Sequence, residues 1–349
     1  MTGDADGAPR DAVSTGPDSS GPVSSGPVSS GARSSDAISS GARSPDAGRS
    51  DLATALRDAE SVLTEAGVPS PRVDAELLAA HLLGVTRGRV RALALTGADA
   101  PTGLADLVAE RARRIPLQHL TGTASFRTVD LAVGPGVFIP RPETESVVQV
   151  ALDWLRDEGL SAPAVADLGT GSGAIAAAVA AEVPGARVVA VERSELALAW
   201  AQRNLAGTGV DLLAGDFRTA LAGREGTFDV VITNPPYVPP DAVPVDPEVA
   251  EHDPPEALYG GARGGLEHPA AAAVAAFAAL RPGGFLVMEH AEQQGPAVER
   301  IFTAAGFTGV RSHPDLTGRR RATSGLTPDG ADPDGATDHH PHENGGTRA

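Results

Sequence analysis

The chain has no cysteine and no lysine; all 28 of its basic residues are arginine. Without cysteine there is no disulfide framework and no thiolate chemistry. Without lysine there is no amine nucleophile of the lysine type. Aromatic residues make up only 3% of the chain. No apolar run approaches the ~20 residues that a membrane-spanning helix needs, and the first residues lack the apolar core of a secretion signal. A cytoplasmic protein with no membrane partner is therefore expected. Positive charge is also short: the formal net charge is −17, and about −11 of it remains in residues 51–325 once both ends are set aside. That balance argues against a broad nucleic-acid footprint and hence against direct nucleic-acid binding.

What is present is a chain of 349 residues with 41% hydrophobic content, enough for about two domains. Residues 1–50 repeat short Ser-Ser-Gly units with few large apolar side chains, so a disordered tail is expected. Residues 326–349 resemble them, with five acidic residues and a His339-His340-Pro341-His342 cluster. We read that cluster as part of a solvated tail and expect no metal site. Residues 51–122 read as a small helical domain. Leu52, Leu56, Ala59 and Leu63 fall on one helix face. Ser70 before Pro71 suits an N-cap followed by proline at the first helical position. A third helix carries Leu104, Leu107, Val108, Ala112 and Ile115. The arginines at 87, 89, 91, 111, 113 and 114 are expected on solvated faces, with an acidic partner as the alternative.

Residues 123–145 read as an extended hairpin and linker. In it Phe126–Val133 precedes Gly134-Pro135-Gly136, and Val137-Phe138-Ile139-Pro140-Arg141-Pro142-Glu143-Thr144-Glu145 leads into a helix. This last segment is either a rigid linker or a rim of the active site, and the residues leave both open. From residue 146 to 325 strands and helices alternate: strands at 165–168, 188–191, 211–214, 228–233 and 285–289, helices at 174–183, 195–204, 270–280 and 293–305. Such alternation predicts an α/β fold with a doubly wound parallel sheet.

Two motifs carry the chemistry. The first is Gly169-Thr170-Gly171-Ser172-Gly173, a glycine turn between a strand and a helix, where backbone can approach a ligand closely. An acid, Glu192, follows Gly173 by 19 positions at the next strand end, where it is placed to hold a pair of ribose hydroxyls. Asp167 just before the turn is awkward for a pyrophosphate but suits an ammonium group, so S-adenosyl-L-methionine fits better than a nicotinamide dinucleotide. Asp216 and Phe217 follow the third strand and are placed to meet an adenine amine and face; a strand-end cap and a core phenylalanine are the alternatives. The second motif is Asn234-Pro235-Pro236-Tyr237. It leaves a buried strand at the carboxyl edge, where open α/β sheets bind ligands. The prolines stiffen the turn. The Asn234 side-chain oxygen and the Pro235 carbonyl can accept the two N–H bonds of a planar NH2 group while Tyr237 stacks on it. Positioning of that kind supplies roughly 7–11 kcal/mol of a barrier. An ordinary strand-to-turn exit is the bland alternative.

Taken together, Asp167–Gly173, Glu192, Gly215-Asp216 and Asn234–Tyr237 resemble a class I S-adenosylmethionine-dependent methyltransferase of the amino-methylating group. Ser70–Leu78, Pro116–Gly122, Phe138–Glu145 and Pro282-Gly283-Gly284 narrow the resemblance to the peptide chain release factor glutamine methyltransferases, over about residues 51–325. The resemblance implies a mostly parallel, seven-stranded Rossmann-like methyltransferase sheet behind a helical substrate-recognition domain. It implies catalysis at Asn234, Pro235 and Tyr237, and cofactor contacts from Asp167, residues 169–173, Glu192, Asp216, Phe217 and Asn234. Asn234, Pro235, Pro236 and Tyr237 would hold the glutamine of the Gly-Gly-Gln motif in bacterial class 1 release factors. Glu192 stands where the family often has Asp, and Phe217 where it often has Trp. Arg319-Arg320-Arg321, after a Leu316-Thr317-Gly318 that fits the family's closing strand, is read as mainly structural. The rivals are a ribosomal protein glutamine methyltransferase, a DNA adenine amino-methyltransferase, and a non-catalytic cofactor-binding adaptor.

Overall fold

The computed structural model describes residues 50–329. The Ser-Ser-Gly repeats and the histidine cluster lie outside the described residues. Five helices come first: α1 (Leu52–Glu65), α2 (Pro71–Leu83), α3 (Arg87–Leu95), α4 (Leu104–Ala112) and the short α5 (Leu117–Thr121). Leu52, Leu56, Ala59 and Leu63 turn inward as the spacing predicts. They pack with Leu78, Val90, Leu104 and Val108 into a core of their own. Asp51 caps α1 by accepting from the Thr54 amide at 3.0 Å. Ser70 does occupy the N-cap before Pro71, but its side chain makes no capping bond. The helices α3 and α5 were not expected; α3 buries a single residue, Val90, so its periodicity is weak.

The expectation of solvated arginines is corrected at Arg111 and Arg114, whose side chains are largely out of solvent, while Arg87 and Arg91 keep exposed side chains and gain an acidic partner. Arg87 and Arg91 both face Glu76, at 3.5 and 2.8 Å, and Glu76 is buried. Arg111 is itself buried, 2.8 Å from Asp74. Two acids of α2 point inward, and a buried charge is tolerable only when paired. The arginines supply that pairing from inside the chain.

A hairpin of β1 (Thr123–Phe126) and β2 (Val129–Ala132) leads to α6 (Pro142–Asp157). Then come β3 (Ala164–Leu168), α7 (Ala174–Glu182), β4 (Arg187–Glu192), α8 (Glu195–Leu205), β5 (Asp211–Ala214) and β6 (Phe228–Thr233). Three short helical pieces, α9 (Pro247–His252), α10 (Pro255–Leu258) and α11 (Ala262–Gly265), precede α12 (Glu267–Ala279). The chain closes with β7 (Leu280–Glu289), α13 (Gly295–Ala305), β8 (Thr308–Pro314) and β9 (Arg320–Leu326). Seven strands form one sheet in the order β5-β4-β3-β6-β7-β9-β8. All run parallel except β9, which is antiparallel to both neighbours. The expected doubly wound, seven-stranded sheet is therefore present. One face packs on α6, α7, α8 and the hairpin through Phe126, Leu131, Val147 and Ile175. The other packs on α12 and α13 through Ala272, Ala276, Val298 and Phe302.

Two details at the end of the chain differ from expectation. Leu316–Gly318 is the turn between β8 and β9, ordered by Asp315, which accepts from the Thr317 and Arg319 amides; the closing strand starts only at Arg320. The edge strand β8 has no fully buried residue, so it lacks the apolar run that marks the inner strands. Leu326, assigned to the tail from sequence, pairs with Phe285 and Thr308 as the last residue of β9.

Strand register places the site. Leu168 lies opposite Val191 on one side and Thr233 on the other. Thr233 in turn lies opposite Met288. The next residues, Gly169, Glu192, Asn234 and Glu289, therefore emerge side by side on the carboxyl edge. Strand order reverses between β3 and β6, and a crevice at such a switch point is where open α/β sheets bind ligands.

Candidate active site

A cavity opens at that crevice. Its floor and walls come from Gly169–Ser172, Glu192, Gly215, Phe217, Asn234, Pro236 and Tyr237. Phe138, Pro140 and Thr144 form one rim and Pro254, Glu256, Ala257 and Leu258 with His268 another. The segment 137–145 is thus a rim of the site and not merely a linker. Arg141 fixes it, reaching Asp253 at 2.6 Å and lying over the Phe138 ring at 5.2 Å.

The glycine turn has positive φ at Gly169, Gly171 and Gly173, at 75, 59 and 87°, a backbone that other residues adopt only at a cost. Gly173 does not line the cavity; a Cβ there would meet Leu205 of α8 at 3.0 Å. Its task is close helix packing. Asn204, which sequence reasoning missed, ties the turn to the hairpin: Nδ2 donates to the Ser172 and Ala132 carbonyls and Oδ1 accepts from the Ala132 amide.

Glu192 is 8% exposed and reaches the cavity wall. Its carboxylate accepts from the amides of Gly171, Arg193 and Ser194, each at 2.8 Å. A carboxylate has about four lone-pair sites, so it both orders the turn and retains capacity for a hydroxyl. Asp167 is fully buried beneath the turn rather than on the cavity surface. Its Oδ2 accepts from the Thr170 hydroxyl and the Ala176 amide, while Oδ1 has no partner among the described residues. Burial pushes its carboxyl up to about 7. A buried oxygen without a donor fits the ammonium end of an amino acid. Phe217 lines the cavity. Asp216 does not; it accepts from the Arg218 amide and pairs with the Arg218 guanidinium at 2.8 Å. No group of three or more metal-ligating side chains occurs among the described residues.

The Asn234 turn is braced from behind. Pro235 is buried and away from the cavity lining, whereas Asn234, Pro236 and Tyr237 face it. A Cβ on Gly260 would come within 2.6 Å of the Pro236 carbonyl, and one on Gly265 within 2.2 Å of the Tyr237 carbonyl. Only glycine lets that segment close on the turn. Gln294 adds a clamp, donating to the Tyr237 carbonyl at 2.8 Å.

Thr144 and Glu289 complete the site; sequence reasoning had Thr144 only as part of the rim segment and missed Glu289. Asn234 Nδ2 donates to Thr144 Oγ1 at 3.2 Å, Thr144 Oγ1 donates to Glu289 Oε2 at 2.6 Å, and the Tyr237 hydroxyl donates to Glu289 Oε1 at 3.0 Å. Glu289 is 2% exposed. Burial pushes its carboxyl up to about 7, against the pull of the Thr144 and Tyr237 hydrogen bonds. Burial and the Glu289 charge raise the Tyr237 phenol well above its ordinary value. The usable signal was an acid at a strand's carboxyl end, the same one that marks Glu192.

A switch-point crevice, a glycine turn with an acid at the end of β4, and an Asn-Pro-Pro-Tyr shelf at the end of β6 define a class I S-adenosylmethionine-dependent methyltransferase. Comparison with known proteins narrows this. Residues 54–122 match the PrmC N-terminal domain and residues 128–247 the Methyltransferase small domain. The chain is 48% identical over 277 residues to the release factor glutamine methyltransferase of Streptomyces coelicolor, covering 77% of this chain and 96% of that protein. It is also 48% identical over 275 residues to the Mycolicibacterium smegmatis protein of the same name, with 77% and 95% covered. The chain belongs to the release factor glutamine methyltransferase family. A solved methyltransferase from Pyrococcus furiosus, 20% identical with a TM-score of 0.42 over 57% of this chain and 89% of its own, is too distant to add to this.

Proposed function

We propose that the chain methylates the side-chain amide nitrogen of the glutamine in the Gly-Gly-Gln motif of bacterial class 1 release factors. The observation that carries the proposal is the Asn234 carboxamide, held from behind by Thr144 and set between the glycine turn and Tyr237 on one aligned sheet edge. Gly169–Ser172, with Asp167 beneath them, hold the amino-acid end of S-adenosyl-L-methionine, Glu192 its ribose, and Phe217 the face of its adenine. When bound, that cofactor supplies a methyl group of electrophilic character.

The chain's own work is to hold a poor nucleophile in line. An amide nitrogen has a delocalised lone pair, so orientation matters more than a strong base. Asn234 Oδ1 accepts from the NH2 group of the glutamine, and Pro236 and Tyr237 wall its flat face. As the nitrogen gains positive character its N–H bonds polarise, so Asn234 Oδ1 binds the transition state more tightly than the ground state.

The helical residues 51–122 carry recognition of the protein substrate. No helix among the described residues is long and apolar enough to cross a membrane, and we place the reaction in the cytoplasm, where translation termination occurs. The test is methyl transfer from labelled S-adenosylmethionine to a class 1 release factor, a ribosomal protein and DNA side by side. Label is expected on the release factor alone and should vanish when the motif glutamine is replaced. Label on the ribosomal protein or on DNA would overturn the assignment.

A further inference from the structure

We infer that Glu289 is a positioning residue that fixes which way the Asn234 carboxamide faces, acting through the Thr144 hydroxyl. The inference rests on the proposed role of Asn234 and deepens it. Glu289 does not itself line the cavity, so its influence must pass through the side chains it holds.

The number of protons available fixes the orientation. A threonine hydroxyl has a single proton, and an ionised carboxylate can only accept. At 2.6 Å from Glu289 Oε2, the Thr144 proton is committed to the carboxylate. Toward Asn234 the Thr144 oxygen then presents only lone pairs. The Asn234 atom 3.2 Å away must therefore be its NH2, which turns Oδ1 away from Thr144. Tyr237 commits its own proton to the other oxygen, Oε1, at 3.0 Å. One carboxylate thus sets the polarity of both arms: Asn234 faces the cavity as an acceptor, and the Tyr237 ring is anchored through its hydroxyl. This is what a substrate NH2 requires.

Protonation undoes the arrangement. A neutral Glu289 has a proton of its own to donate to Thr144 or Tyr237. If Thr144 accepts it, the Thr144 proton turns to Asn234, and the amide is favoured in the flipped orientation, with NH2 toward the cavity. Two NH2 groups then confront each other. The groups facing Glu289 are Thr144 and Glu143 from α6, Tyr237 from the turn after β6, and Arg321 from β9. Glu143 opposes ionisation and Arg321 favours it, and burial outweighs the rest. The switch therefore falls near neutrality, with the active polarity on the alkaline side.

The test has two arms. In the first, kcat for release factor methylation is followed from pH 6 to 8 at saturating S-adenosylmethionine in the wild type, Glu289→Gln, Thr144→Val and Thr144→Ser. Wild-type kcat should fall about tenfold per pH unit below about 7. A glutamine has one carbonyl oxygen for two hydroxyl donors, so Glu289→Gln should lose the acidic limb and run on the order of tenfold slower at pH 8. Thr144→Val should be slower by on the order of 10² with KM little changed, and Thr144→Ser should restore most of the rate. In the second arm, the side-chain NH2 resonances of Asn234 are followed by NMR in the free protein. They should titrate near pH 7 in the wild type and not in Glu289→Gln. An unchanged acidic limb in Glu289→Gln, wild-type rates in Thr144→Val, or no titration of Asn234 would overturn the inference. Should the NMR titration be present while the release factor stays unmethylated at every pH, the relay stands and the substrate assignment falls.

Discussion

Arg111, near the end of α4, meets Glu248 of α9 at 2.8 Å, with both side chains largely out of solvent. The same arginine holds Asp74 of α2, and Arg114 adds a second hold on Glu248, its Nε donating to Oε1 at 2.8 Å. The segment that begins at α9 continues into Pro254, Glu256, Ala257 and Leu258, which wall the cavity. The helical bundle is thus braced against the wall of that cavity. Burial alone would raise the Glu248 carboxyl, but hydrogen bonds from Arg114 and Arg111 hold it down to about 2. Glu248→Ala is expected to cost roughly 1–3 kcal/mol, because two guanidiniums lose a charged partner. A carboxylate whose value is depressed on folding contributes above its unfolded value of about 4.5, and that contribution fades as pH falls toward about 2. Urea midpoints of the two proteins should differ at pH 7 and draw together below pH 4; equal midpoints at pH 7 would show the brace to be idle.

Glu192 joins two tasks, and its removal should show both. Its three amide partners include Gly171 of the turn itself. Glu192→Ala is expected to weaken S-adenosylmethionine binding by roughly 1–3 kcal/mol through lost charged hydrogen bonds. Calorimetry measures this directly, and an affinity within twofold of wild type would rule out a ribose contact.

Asp167 ties cofactor binding to protons. In the free protein burial pushes its carboxyl up to about 7, so below that pH it is mainly protonated. An ammonium group beside it favours the ionised form. Binding of S-adenosylmethionine should therefore release a proton below pH 7, and affinity should rise as pH rises toward that value. Calorimetry at pH 6.5 in two buffers of different ionisation enthalpy reads the release. A heat independent of buffer would make Asp167 a strut for Thr170 and α7 and nothing more.

Every residue lining the cavity lies between Phe126 and His268, and the described structure runs from 50 to 329. A chain trimmed to residues 50–329 is expected to keep turnover within about threefold of the full chain. A folded truncation with a large loss would give the ends a role in the reaction.

Most of this candidate site was legible in the sequence because its signals are local. The glycine turn, Glu192 and the Asn234 motif each sit directly after an apolar strand, and the parallel register then aligns them without further instruction. Thr144 and Glu289 were not legible as partners. They are 145 positions apart, and only the packing of α6 against β7 brings them together. Arg111 and Arg114 misled for a related reason: their partners, Asp74 on α2 and Glu248 on α9, are distant in sequence, so nothing local marks these arginines as buried. β8 escaped notice because an edge strand needs no apolar run.

Asn234 is where fold, site and function meet, and its replacement tests all three. The residue follows Thr233, whose register beside Leu168 and Met288 holds the end of β6 in place. Asn234 is only partly buried and makes one side-chain bond, to Thr144, so Asn234→Ala should fold with little loss of stability. Cofactor affinity should survive in large part, because Glu192 and the glycine turn are untouched. Chemistry should not. Removing one preorganised partner of a charge that develops in the transition state costs about 2.7–4 kcal/mol in oxyanion holes, or roughly 10²–10³ in rate, and the same scale applies to an acceptor facing a developing cation. Asn234→Asp keeps an oxygen but places a negative charge beside a carboxylate-bearing cofactor, and it too should be slow. Single-turnover rates with saturating cofactor separate this from effects on binding. A rate for Asn234→Ala within about threefold of wild type would reduce the Asn-Pro-Pro-Tyr shelf to an ordinary turn.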